Sequence, residues 1–74
     1  MDHKINLTHI ENQRLTMYLA SATETKTNES KELRLIMENG KIRYEARYFK
    51  NEKLDATSKP LPSLKTAIEM YNNF

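Results

Sequence analysis

Seventy-four residues allow one domain, 1–74, and one core, and so short a chain buries a modest share of its surface unless something staples it. There is no cysteine, which excludes disulfides, thiolate metal sites and thiol nucleophiles and suits a reducing compartment. Twelve Lys and Arg against ten Asp and Glu leave a net charge of +2, too small to argue for nucleic acid unless the cations cluster. One glycine excludes a glycine-rich phosphate loop or a dinucleotide fingerprint, both of which need several.

Four Tyr, two Phe and four Met supply the bulk for a folded core. The charged opening Met1-Asp2-His3-Lys4 and the lack of any long apolar run lead to the expectation of a cytoplasmic chain with neither a signal peptide nor a membrane span. Few glycines among much Asn, Thr and Lys is the composition expected of a phage or mobile-element gene of low GC content.

Residues 1–13 read as a frayed terminus or a short extra strand, since Ile5 and Leu7 alternate before the polar run Glu11-Asn12-Gln13. Leu15, Met17 and Leu19 then alternate with Thr16, Tyr18 and Ala20, which predicts a strand over about Arg14 to Thr23. A helix competes here, because Thr8-x-x-Glu11 has the form of a capping box, but the apolar positions fit a period of 2.0 better than 3.6. Thr23 to Lys31 is polar and aperiodic, and reads as a loop or turn.

Glu38-Asn39-Gly40-Lys41 is the firmest local signal, because an Asn-Gly pair tolerates positive φ at both centres of a type I′ turn. That turn sets a register in which Met37 faces Ile42, Ile36 faces Arg43, Leu35 faces Tyr44 and Leu33 faces Ala46. One face then carries Leu33, Leu35, Met37, Ile42, Tyr44, Ala46 and Tyr48. The other face opposes Glu38 to Lys41, Arg34 to Glu45 and Glu32 to Arg47, unlike charges that played no part in choosing the register. A helix capped by Ser30 and stopped at Gly40 is the rival, and it leaves those three matches to coincidence.

Beyond Phe49 the chain turns polar, and Pro60 and Pro62 forbid a helix and favour extended backbone before each of them. Ser63 suits an N-cap, and Leu64, Ala67, Ile68, Tyr71 and Phe74 form the apolar stripe expected to lie on the sheet, giving a helix over 63–73. The fold expected is therefore α+β: a three- or four-stranded antiparallel β-meander, with its hairpin turn at Asn39-Gly40 and a C-terminal amphipathic helix packed on one face.

No catalytic constellation is expected. His3 and His9 are too far apart to chelate, Glu32, Glu38 and Glu45 each face a cation, and no Ser-His-Asp set assembles. No metal, no cofactor and no small-molecule substrate are expected. Apolar side chains on the face away from the helix, Tyr18, Ile36 and Phe49, join Arg43 in the Tyr, Arg and aliphatic composition of an interface, and these four are the expected partner surface. The expectation is a small non-catalytic binding protein, accessory, regulatory or inhibitory, whose partner is another protein or a second copy of itself. The alternative is a sheet that binds single-stranded nucleic acid through Tyr18, Arg43 and the lysines of the 50–59 loop.

Overall fold

The computed structural model describes residues 14–74. The expectations placed on residues 1–13, including His3, His9 and the Thr8–Glu11 box, lie outside the described residues. Four strands, β1 (Arg14–Glu24), β2 (Glu29–Glu38), β3 (Lys41–Lys50) and β4 (Lys53–Thr57), form one antiparallel sheet in the order β1-β2-β3-β4. Helix α1 (Leu64–Asn73) follows and packs on β3 and β2, so the class is α+β.

Asn39 and Gly40 take φ of 54° and 75°, the left-handed pair that a type I′ turn requires, and β2 meets β3 in the register that the turn dictates, from Glu38↔Lys41 to Glu29↔Lys50. Two of the three opposed charges close into ion pairs. Arg34 Nη2 lies 2.8 Å from Glu45 Oε1, and Arg47 Nη1 lies 3.3 Å from Glu32 Oε1. Glu38 instead turns to Arg14 on β1, at 3.8 Å.

The fourth strand of the described sheet, β4, follows β3, while the short extra strand expected in residues 1–13 falls outside the described residues. Asn51 and Glu52, at φ of 53° and 65°, make a second two-residue turn that sets Lys50 opposite Lys53. A glutamate in the left-handed region carries a steric cost that glycine would avoid, which is why the turn is hard to see in the sequence. At the same end of the sheet Asn28, also at positive φ, accepts the Asn51 N–H at 2.9 Å and so ties the β1–β2 turn to the β3–β4 turn.

Past β4 the chain stays on the outer edge of β3. Ser58 is buried, and its Oγ accepts the Ala46 N–H at 2.9 Å while its own N–H reaches the Ala46 carbonyl at 2.8 Å. Leu61, between the two prolines, exchanges both backbone hydrogen bonds with Tyr44 at 2.8 Å. The extended backbone expected of the Pro60–Pro62 stretch thus has a use, which is to cover the edge of β3 and deliver the chain to the helix.

Ser63 is the N-cap, its Oγ accepting the Thr66 N–H at 3.3 Å. The docking stripe is rotated from the one expected. Leu33, Ala46 and Ala67 form the buried centre, with Met70, Tyr71 and Phe74 packed around it, while Leu64 and Ile68 keep 39% and 40% of their surface exposed. Ala46 and Ala67 are both fully buried, and two methyl groups facing each other let the helix approach the sheet closely at that point. No basic residue stands in the last turn of α1, yet Lys31 on β2 supplies the cation there: its Nζ donates to the Tyr71 carbonyl at 2.9 Å and sits 4.5 Å from the centre of the Tyr71 ring.

Replacing Glu52 by glycine removes the left-handed penalty and adds unfolded-state freedom, a net gain of about 0.5–1 kcal/mol. Urea unfolding should show a higher midpoint for E52G at unchanged slope.

Candidate functional site

Strands of ten residues run about 33 Å at the usual rise per residue, whereas a ten-residue helix runs about 15 Å. Helix α1 therefore covers less than half the length of the sheet face on which it lies. It packs mainly on β3 and β2, and from β1 Ala20 reaches the core beneath it. What stays open is the apolar side of β1 together with the turn end of the hairpin.

On that side the cross-strand rows run Leu15–Met37–Ile42 and Met17–Leu35–Tyr44. Leu15 is 52% exposed, Met17 60% and Ile42 45%. At Leu19 the ladder slips: Tyr18 pairs with Arg34 and the next pair is Ala20 with Leu33, so two residues of β1 oppose one of β2 as in a β-bulge. The bulge moves Ala20 onto the helix side, where it packs against the core, and leaves Leu19 exposed. Tyr18, on the other side, is 60% exposed. From Leu15 to Thr23 the strand carries no charge and no proline, and among the described residues β1 is an edge strand of the sheet.

The four expected surface residues do not form one patch. Ile36 does point away from the helix, but it is only 5% exposed, a correction to its reading as an open contact. Ile36 stands in a cross-strand row between Thr16 of β1 and Arg43 of β3, and alternation sets the face of a side chain without setting its exposure. Arg43 is half-buried and donates to the Ile42 carbonyl at 2.9 Å. Phe49 lies opposite Leu54 at the far end, under the Arg47 guanidinium at 4.9 Å. Tyr18 alone is fully open, and Leu15, Met17 and Leu19 beside it belong to the surface too; the uncharged run from 15 to 23 was the signal for them.

Two basic side chains on the outer face, Arg34 and Arg47, are committed to acids, whereas Arg43 donates to a backbone carbonyl. Arg34 holds Glu45 through both Nε and Nη2, at 3.2 and 2.8 Å, and Arg47 bridges Glu32 and Glu45, at 3.3 and 3.8 Å. Spending those two cations on a phosphate backbone requires breaking the pairs, which leaves Arg43 and the lysines of the 50–59 loop as the charge available to the nucleic-acid alternative.

A cleft of about 290 Å³ opens at the other end of the sheet, among Glu29, Lys31, Tyr48 and Phe74. Interaction of the Tyr48 hydroxyl with the Glu29 carboxylate, together with Thr27 and nearby Lys50, holds the Glu29 pKa below the ordinary value, and the same interaction raises the Tyr48 pKa. Two carboxylates, Glu24 and Glu29, line the cleft, and Lys31 beside them is already occupied by Tyr71. Among the described residues no cluster of His, Cys, Asp and Glu has a metal-binding arrangement, and no helix is long and apolar enough to cross a membrane. Comparison with protein-family models, curated proteins and solved structures returns no match.

The Glu29–Tyr48 pair has two pH limits. Glu29, lowered in the folded state, contributes stability above the ordinary carboxylate pKa and loses it as pH falls through the folded value. Tyr48, raised, contributes below the ordinary tyrosine pKa and loses it as pH rises through the folded value. Urea midpoints of Y48F should therefore fall below wild type most at neutral pH, with the gap narrowing toward both acid and alkali.

Proposed function

We propose that this is a small non-catalytic binding protein that works by protein–protein contact through the outer strand β1. The observation that carries the reading is the uncharged stretch Leu15–Thr23, with Leu15, Met17, Tyr18 and Leu19 all exposed on a strand whose outer backbone has no neighbour among the described residues. Large open apolar groups beside an open strand edge are costly for a chain that stays alone, since such an edge is a template for pairing with another chain. Tyr and Met are also side chains enriched where proteins meet.

Cross-linked lysate capture with the full chain as bait, analysed by mass spectrometry, tests it. Met17→Lys with Leu19→Lys should lose the captured protein, at least tenfold in recovery, while its circular dichroism matches wild type. Capture that survives this double substitution would contradict the reading. Ile36→Asp serves as the contrast: it buries an unpaired carboxylate and should unfold the chain rather than spare the fold and lose the partner.

A further inference from the structure

The partner can be taken one step further, on the basis of the reading just given. A two-residue turn makes Glu38 and Lys41 a hydrogen-bonded pair, so on β2 the even-numbered backbone groups face β3 and the odd-numbered ones face β1. The same parity on β3 sends Tyr44 and Ala46 outward, where they bond Leu61 and Ser58. Carried through the bulge to β1, it turns the N–H and C=O of Thr16, Tyr18, Ser21 and Thr23 to the open edge, while Leu15, Met17, Ala20 and Ala22 face β2.

These four positions are self-complementary. A second β1 running antiparallel about a two-fold axis between Leu19 and Ala20 places Thr16 against Thr23 of the second copy and Tyr18 against Ser21 of the second copy, so all the outward groups pair. The side chains then match large to small. Met17 meets Ala22 of the second copy, and Leu19 meets Ala20 of the second copy, on the side already apolar in each chain. Arg14 and Glu24, the only charges on β1, sit at its two ends, so the stretch that pairs with itself across the two-fold is uncharged. We infer that the chain self-associates through β1 into a two-fold dimer with one continuous eight-stranded sheet.

Natural edges are blunted by shortness, charge, proline or bulges, and β1 has eleven residues and only the bulge. The dimer also answers an energetic need, because the described core cluster has three buried apolar side chains and small domains commonly rely on oligomerisation for support.

Sedimentation equilibrium of the full chain should give twice its 8.7 kDa mass. Ser21→Pro removes an outward donor and leaves the β1–β2 ladder intact, as edge prolines do, so it should give the single-chain mass with an unchanged circular dichroism spectrum. Should that variant misfold, Met17→Cys with Ala22→Cys decides. Their Cα atoms face each other in a non-hydrogen-bonded pair about 4.5 Å apart, within disulfide reach, and the chain has no other cysteine. The double variant should oxidise to a covalent dimer, whereas either single variant should not. A wild-type chain that sediments as a monomer over the whole concentration range overturns the inference, as does a dimer that the paired cysteines fail to link. If that monomer still loses its captured protein in the Met17→Lys, Leu19→Lys variant, self-pairing fails and the binding role of β1 stands.

Discussion

The contact on which the rest of this structure depends is that of Ala46 with Ala67. Two small side chains, both without exposed surface, let the ten-residue helix settle close to the sheet, and Leu33 completes the centre they define. The chain after β4 is arranged around it. Ser58 holds the Ala46 backbone from outside, Leu61 holds Tyr44, and Ser63 starts the helix only after that covering segment has run its length. Lys31 then fixes the other end of the helix by occupying the Tyr71 carbonyl. A larger residue at either alanine would lift the helix and expose what little apolar surface is buried.

The same contact explains what is left open. A helix anchored over β2 and β3, and shorter than the strands, cannot also cover β1, so the most apolar strand of the sheet is the least buried. The two long edges are treated differently. The outer edge of β3 is lined first by β4 and then by the Ser58–Leu61 segment, whereas among the described residues β1 has only the bulge at Leu19 to distinguish it from a strand waiting for a neighbour. Function is proposed on that asymmetry.

Much of the fold was legible in the sequence because one turn measured it. Asn39-Gly40 fixed the β2–β3 register, and the charge matches of Arg34 with Glu45 and Glu32 with Arg47 followed as ion pairs. Ser63 as the cap and extended backbone around the prolines were equally readable, because each depends on one local hydrogen bond or a fixed φ. Other features depended on interactions no local pattern reports. The β3–β4 turn puts a glutamate where glycine is expected, the bulge interrupts an alternation that reads smoothly through Leu19, and the helix rotates so that Met70 rather than Ile68 meets the sheet. Ile36 shows the limit most plainly for the site: its face was right, but its burial depends on what the neighbouring strands place around it, which is a tertiary property.

The openness of the β1 edge is tested most directly by residue-level amide hydrogen exchange over a dilution series. The inward amides of Leu15, Met17, Ala20 and Ala22 should exchange slowly at every concentration, and those of Thr16, Tyr18, Ser21 and Thr23 should exchange faster as the chain is diluted. Outward amides as slow as the inward ones, and unchanged by dilution, would show that the edge is already satisfied within the single chain and would contradict the central claim.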